Sequence, residues 1–212
     1  MFVTDWMTRQ VVTIGPDESI ARAIHLMKER GIKHLPVVHA GGVVGVISDR
    51  DIKAYTPSKA TSLDVFEINY LLAKAKVKDA VGPLLTTTAP DTPVEEAALA
   101  MFDNNIGCLP VLEGDLLVGI ISDRDIFRAL VDITGVRHGG HRICVTIADS
   151  PGTIREVTDI VRAAGFHLRG ILSSYEKVAK GSRRVVVRTD ATGDFDALRA
   201  ALEREYSFVR IS

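Results

Sequence analysis

Two hydroxyl–carboxylate pairs with the same spacing are the residues best suited to chemistry: Ser48 with Asp51, and Ser122 with Asp125. Each lies in a near-identical run, Gly45-Val46-Ile47-Ser48-Asp49-Arg50-Asp51-Ile52 and Gly119-Ile120-Ile121-Ser122-Asp123-Arg124-Asp125-Ile126. The apolar run reads as a buried strand, and Ser followed three residues later by an acid opens a helix. Both pairs therefore sit at a strand-to-helix corner, where unpaired backbone N–H groups favour a small anionic group. A carboxylate only accepts hydrogen bonds, which suits a ligand with two neighbouring hydroxyls; a phosphate beside it needs cations. Arg9, Lys33, His34, Arg50 and Arg124 are the candidates for that charge. The same spacing is also a capping box that satisfies the helix's own N–H groups without a ligand. Copying one capped helix yields two, so recurrence alone does not choose between these readings.

The elements that position the pairs are themselves duplicated. Pro16-Asp17 matches Pro90-Asp91, Leu35-Pro36-Val37 matches Leu109-Pro110-Val111, and Ser48 matches Ser122, at a constant offset (122 − 48 = 74). A unit of about 50 residues buries too little surface alone and packs against its twin. In the first copy the pattern predicts a strand at Val11-Val12-Thr13-Ile14 and a helix capped by Asp17, with Ile20, Ala23, Ile24 and Met27 on one face and Gly31 at its end. Strand Leu35-Pro36-Val37-Val38, a Gly41-Gly42 turn, strand Val43 to Ile47 and the helix opened by Ser48 follow. The second copy repeats this order with Val94, Ala97, Ala98 and Met101 on its helix, a Gly114-Asp115 turn, and strand Leu116 to Ile121. Each unit thus reads β-α-β-β-α. Between them, turn-like Thr56-Pro57-Ser58 leads into a helix with Leu63, Phe66 and Tyr70 on one side. The copies differ where Lys33-His34 becomes Gly107-Cys108, which predicts a less basic second pocket.

Beyond Leu130 the pattern changes. The glycine- and charge-rich Gly135-Val136-Arg137-His138-Gly139-Gly140-His141 reads as a boundary. A strand over Arg142 to Ala148, the turn Asp149-Ser150-Pro151-Gly152, and a helix with Ile154, Val157, Ile160 and Val161 ended by Gly165 come next. Strand Phe166 to Ser174, strand Arg183 to Arg188, a helix with Phe195, Leu198 and Leu202, and strand Phe208 to Ile211 complete a β-α-β-β-α-β order, the ferredoxin-like split unit. The expected segments are 1–54 and 75–130 for the repeats, 55–74 and 131–140 as connections, and 141–212 for the last unit.

Composition narrows the function classes. The 212-residue chain carries 26 Lys+Arg against 27 Asp+Glu, so bulk charge provides no footprint for nucleic acid. Cys108 and Cys144 lack metal-ligand spacing and lie on apolar stretches, as structural thiols of a reducing compartment do. No run approaches the roughly 18 apolar residues of a membrane span, and a soluble, cytoplasmic protein is expected. Gly41-Gly42-Val43-Val44-Gly45 precedes a strand where a dinucleotide fingerprint would follow one. His138 and His141 have no acid or thiol nearby in sequence, so no metal site is expected. No nucleophile–base set or phosphate loop emerges, and no catalytic residue is assigned.

The Gly-led apolar strand ending in Ser-x-x-Asp, the upstream His-Leu-Pro-Val strand and the tandem arrangement together resemble the CBS domain, whose pairs form Bateman modules. The resemblance covers roughly residues 1–130 and implies that the cleft between the repeats binds an adenosine nucleotide (AMP, ADP or ATP) or S-adenosylmethionine. It implies that Asp51 and Asp125 accept ribose hydroxyls and that Ser48 and Ser122 face phosphate. Arg50 and Arg124, with Lys33, could neutralise the phosphate, while the resemblance implies that the backbone around Thr13 to Ile14, His34 to Pro36, Thr87, and Cys108 to Pro110 lines the base. The turn Asp149-Ser150-Pro151-Gly152 in its frame resembles the Asp-x-Pro-Gly signature of ACT domains, which places Asp149 and Gly152 near an amino-acid ligand. The combination resembles the acetoin-utilisation (AcuB-like) CBS-ACT proteins. The expected fold is α+β, two packed CBS units followed by an ACT domain. The expected role is a non-catalytic, homodimeric sensor acting on a regulated protein, without nucleic acid or membrane. The alternatives are a structural dimerisation protein with vestigial pockets and an enzyme in which the pair is accessory.

Overall fold

A computed structural model describes residues 1–56, 64–82 and 85–212, with Val65 described by its backbone. The chain divides into two compact units, Met1–Phe127 and Arg128–Ser212. The elements of the first are α1 (Val3–Trp6), α2 (Ile20–Arg30), β1 (His34–His39), β2 (Gly42–Ser48), α3 (Asp49–Tyr55), α4 (Val65–Lys74), α5 (Val94–Asp103), β3 (Cys108–Glu113), β4 (Leu116–Ser122) and the start of α6 (Asp123–Ile133). β1 pairs antiparallel with β2, and β3 with β4, in matching registers: His34 faces Ser48 and Cys108 faces Ser122. Both hairpins carry a bulge at equivalent places, Val37/Val38 and Val111/Leu112. The duplication thus extends to irregularities of the backbone.

Ile20, Ala23 and Met27 form the buried stripe of α2 over Leu35, Val37 and Ile47, while Ala97 and Met101 of α5 cover Leu109, Val111 and Ile121. Each fully buried large aliphatic side chain contributes about 1.5–3 kcal/mol. Asp17 does not cap α2: its carboxylate takes the Lys78 ammonium at 2.7 Å, and Ser19 instead accepts from Arg22 N at 3.2 Å. The leading strand of each repeat shrinks to one bridging residue, Ile14 beside Val37 and Thr88 beside Val111. Pro16 and Pro90 follow two residues later and have no N–H for a longer ladder. The first hairpin turns at Ala40-Gly41, both at positive φ, so Gly42 already belongs to β2.

The repeats exchange their lead-in segments. Val3 and Met7 are buried in the core of the second repeat, and Leu72 and Val77 in the core of the first. The backbone bonds match: Val3 N donates to Thr92 O and Val77 N to Glu18 O, each at 2.9 Å. The ranges 1–54 and 75–130 therefore differ from the two packed cores. In α4, Ile68 and Leu72 face the core while Phe66 and Tyr70 are exposed. Their side of the helix is the outer one; Leu63, Pro57 and Ser58 lie outside the described residues.

The second unit comprises β5 (Arg142–Ala148), α7 (Thr153–Ala163), β6 (Leu168–Ser174), β7 (Ser182–Thr189), α8 (Phe195–Glu205) and β8 (Val209–Ile211). Its antiparallel sheet has the order β6-β7-β5-β8, the ferredoxin-like topology. Ile143, Val145, Ile147, Val185 and Val187 pack against Val157 and Val161 of α7 and Leu198 and Leu202 of α8. α6 runs past Leu130 to Ile133, and Val136–His138 forms a 3-10 turn, so 131–140 is largely regular structure.

Candidate functional site

A cavity of about 340 Å³ opens in the first unit at the Ser48 corner. The first repeat supplies Lys33 and His34 at the start of β1, Val46, and Ser48 to Asp51. The second supplies Asn105 to Cys108 and Asp123, and Gly82, Leu85 and Thr86 complete the wall. The volume falls at the lower end of the roughly 300–1,000 Å³ of small-molecule sites.

The Ser48 corner is a complete capping box. Ser48 N and Ser48 Oγ donate to Asp51 Oδ2 at 2.8 and 2.6 Å, and Asp51 N donates back to Ser48 Oγ at 3.2 Å. Both bonds to the carboxylate fall on Oδ2, leaving Oδ1 outside the cap. At the equivalent corner Ser122 N and Oγ donate to Asp125 Oδ2 at 3.0 and 2.7 Å, and Asp125 is buried. The neighbouring Asp49 receives Lys53 Nζ at 2.9 Å; this hydrogen bond holds its carboxyl below the usual range.

Equivalent residues of the two repeats meet across the cavity. Lys33 and His34 form one wall, and their counterparts Gly107 and Cys108 form the other. A Cβ at position 107 would lie 2.8 Å from His34 Nε2, so the small residue makes room for the ring. Burial lowers the His34 pKa against the opposing pull of Asp123, Asp49 and Asp51. Burial also pushes the Cys108 thiol up to about 12, which identifies a protonated structural thiol.

Of the residues expected from sequence, Lys33, His34, Ser48, Arg50, Asp51 and Cys108 converge on this cavity. Ser122, Arg124 and Asp125 occupy the equivalent corner. Thr13, Pro36, Thr87 and Pro110 do not line the cavity, and the Ile14 side chain belongs to the first core. Thr86, one residue before Thr87, lines it instead. Arg9 is committed elsewhere, donating to Thr4 Oγ1 at 2.8 Å. Asp49 and Asp123 were legible as the duplicated residue after each Ser. Asn105 carried a subtler signal: it occupies the helix-end position equivalent to Gly31 and shares its positive φ, 52° against 64°. Beside the cavity a more open hollow of about 400 Å³ shares Arg50, Asn105 and Asp123 and is walled by Phe102 and Phe127, which are 83% and 64% exposed.

The protein-family model of the CBS domain matches residues 3–57 and 77–132. The chain belongs to the CBS-domain family. A CBS domain-containing protein of Bacillus subtilis, YhcV, is 30% identical over 58% of this chain and 81% of its own. An uncharacterized Methanocaldococcus jannaschii protein, MJ0188, is 26% identical over 79% of this chain but 52% of its own length, so the chain spans about half of that relative. Inosine-5'-monophosphate dehydrogenase of the same organism matches over 29% of its length. Among solved structures, a Vibrio cholerae protein assigned to acetoin utilization (AcuB) is 30% identical over 65% of this chain and 95% of its own, with a TM-score of 0.53. The CBS pair of MJ0100, solved with 5-methylthioadenosine and S-adenosyl-L-methionine, is 26% identical over 61% and 95%, TM-score 0.51. CBSX2, solved with AMP, is 28% identical over 62% and 97%, TM-score 0.52.

In the second unit the turn residues have local partners. Asp149 pairs with Arg183 Nε at 3.6 Å, and Gly152, at φ 93°, occupies the cap position of α7. Thr153 Oγ1 donates to Ala148 O at 3.0 Å, tying that helix start to β5. His141 packs edge-on against Phe166 at 5.5 Å between ring centroids. Among the described residues no group of three or more His, Cys, Asp or Glu is placed to hold a metal, and no helix is long and apolar enough to cross a membrane.

Proposed function

We propose that this CBS pair is a non-catalytic sensor that takes one adenosyl ligand in the cavity at the Ser48 corner. The observation that carries the reading is the union, in one cavity, of Asp51 from one repeat with Asn105 to Cys108 and Asp123 from the other. Asp51 Oδ1 accepts from the ribose hydroxyls, Lys33 and Arg50 face phosphate or carboxylate, and Thr86 and Val46 flank the base. Two similar CBS structures hold AMP, or S-adenosyl-L-methionine and 5-methylthioadenosine, which supports the ligand class.

The charge around the cavity ranks the candidates. Asp49, Asp51 and Asp123 oppose only Lys33 and Arg50, with His34 favoured as the neutral ring. A triphosphate would bring its charge into a site without surplus cations, so AMP and S-adenosylmethionine should bind above ADP, and ADP above ATP. Homodimer formation belongs to this reading, and the exposed Phe102 and Phe127 form an apolar patch on the α5–α6 side. The ferredoxin-like topology and the Asp-x-Pro-Gly turn support an ACT-type role for the second unit in association. An amino acid at Asp149 and Gly152 would have to compete with Arg183. Ligand binding changes the relation of the repeats and is read by a regulated protein in the cytoplasm.

Calorimetric titration with AMP, ADP, ATP and S-adenosylmethionine tests the proposal. Binding of one adenosyl ligand, lost in Asp51→Ala and kept in Asp125→Ala, is the expected result. Absence of binding by all four would leave the Ser–Asp pairs as helix caps and favour a purely structural pair.

A further inference from the structure

The near-neutral total charge conceals a segregation along the chain. Residues 1–127 carry 12 Lys+Arg and 17 Asp+Glu, net −5, whereas residues 128–212 carry 14 and 10, net +4. From Asp79 to Asp123 there are eight acidic residues and no Lys, Arg or His.

In the second unit positive charge collects on the sheet face turned away from α7 and α8, where the Ile133–Gly135 segment lies against only the Gly170–Arg188 end. Ile143, Val145 and Ile147 of β5 and Val185 and Val187 of β7 point to the helices, so the alternate residues point away. Register places Arg188 opposite Arg142, Val186 opposite Cys144, and Arg184 opposite Thr146; Arg210 lies opposite Cys144 on the other side. Like charges directly opposite across strands destabilise a sheet. The ion pairs of this unit among the described residues use Arg155, Arg162, His167, Arg183 and Arg204, and none uses Arg142, Arg184, Arg188 or Arg210. Arg184 Nε is buried with no hydrogen-bond partner. The face therefore carries guanidinium groups around a centre in which Cys144 is buried, with Arg142 and Arg210 exposed and Arg184 and Arg188 half-buried.

We infer that this arginine face is an interaction surface whose occupant is the acidic end of the second CBS repeat of another copy of the chain. The parallel bridge between Thr88 and Val111 brings the stretches Asp91–Glu96 and Glu113–Asp115 to one end of that repeat. Asp91, Glu95, Glu96, Glu113 and Asp115 are exposed there. Two arginine faces cannot pair with each other because like charge opposes like. Single-stranded nucleic acid fits less well: it needs free aromatic platforms, and Phe208 is already faced by Arg184 and Arg210 at 5.0 and 5.3 Å from its ring. Two such contacts related by a two-fold axis close a dimer.

The full-length chain tests this by sedimentation in low and high salt, with Arg142→Glu/Arg188→Glu and Glu95→Lys/Glu96→Lys as paired reversals. Each reversal should weaken self-association by about tenfold or more, and raised salt should weaken the wild type likewise. A one-to-one mixture of the two variants should associate again, a rescue that neither a misfolded variant nor docking within one chain produces. Apolar pairing through Phe102 and Phe127 would survive both reversals and high salt. Self-association indifferent to the reversals, a mixture that stays dissociated, or retention on single-stranded RNA with unchanged self-association would each overturn the inference.

Discussion

Replacing Asp51 by Ala removes both Oδ2, which caps α3, and Oδ1, the oxygen proposed to meet the ligand, and the two losses are read by different assays. Oδ2 accepts from Ser48 N at 2.8 Å and Ser48 Oγ at 2.6 Å, so truncation costs the start of α3 about 0.5–2 kcal/mol. That corresponds to a fall in melting temperature of about 2–8 °C for a unit of this size. The binding loss should be larger. Hydrogen bonds to a charged acceptor contribute about 1.5–3 kcal/mol each, so losing two ribose hydroxyl contacts to Asp51 should cost about 3–6 kcal/mol, or about 10²- to 10⁴-fold in affinity. The control is a ligand lacking those hydroxyls. 2′,3′-Dideoxy-AMP should bind wild type as weakly as AMP binds Asp51→Ala, and the substitution should then change its affinity little. Titration calorimetry gives the four affinities and thermal melting the cap cost. If AMP and its dideoxy analogue lose equal affinity on substitution, Asp51 does not hold the ribose and the reasoning from Oδ1 fails.

Burial lowers the His34 pKa in the folded state, so the unfolded chain takes up the proton first. Stability should fall as pH drops through and below about 6.5, and His34→Gln should flatten denaturant-derived stability over that interval. With Cys108 pushed up to about 12 and Cys144 buried, neither thiol should react with an alkylating reagent at pH 8 until the chain is unfolded; a fast-reacting Cys108 would contradict its burial. Gly119→Ala would set a Cβ 2.5 Å from Met7 Sδ and 3.2 Å from Thr8 O, where the lead-in segment crosses the second repeat. A loss of about 1–3 kcal/mol is expected by urea unfolding, eased by a smaller side chain at position 7.

The offset of 74 residues made the duplicated hairpins and both Ser–Asp corners readable, and strand, turn and helix periodicity beyond Leu130 made the ferredoxin-like order readable, because periodicity and turn chemistry are local properties. What escaped is non-local. Nothing in the sequence around Asp17 says that Lys78 will take its carboxylate, so the cap of α2 shifts to Ser19. The exchange of Val3 and Val77 between repeats has no local signature either, since each fits the apolar pattern of either core. For the site, Lys33, His34, Ser48, Arg50, Asp51 and Cys108 were legible from the duplicated motifs. Asn105 and Thr86 were not, because their place in the wall depends on how the repeats pack. Net charge misled in the same way: acids of one unit and arginines of the other cancel in the composition and separate only when sheet faces are assigned.

The exchanged segments also bear on how a bound ligand would act. Each core contains a piece of the other repeat, so the two cannot part without exposing Val3 or Val77, both fully buried. A ligand spanning Asp51 and Asp123 is then left with smaller adjustments at the corner itself, where the His34 ring stands against Gly107. A ligand shifts such an equilibrium only by its difference in affinity for the two arrangements, about 5.5 kcal/mol for a near-complete switch. Contacts to Ser48 and Asp51 alone lie within one repeat and would be equal in both arrangements. The differential must come from the second-repeat wall, Asn105 to Cys108 and Asp123. Asn105→Ala should therefore weaken a ligand-induced change in protease protection more than it weakens binding, whereas Asp51→Ala should reduce both in proportion.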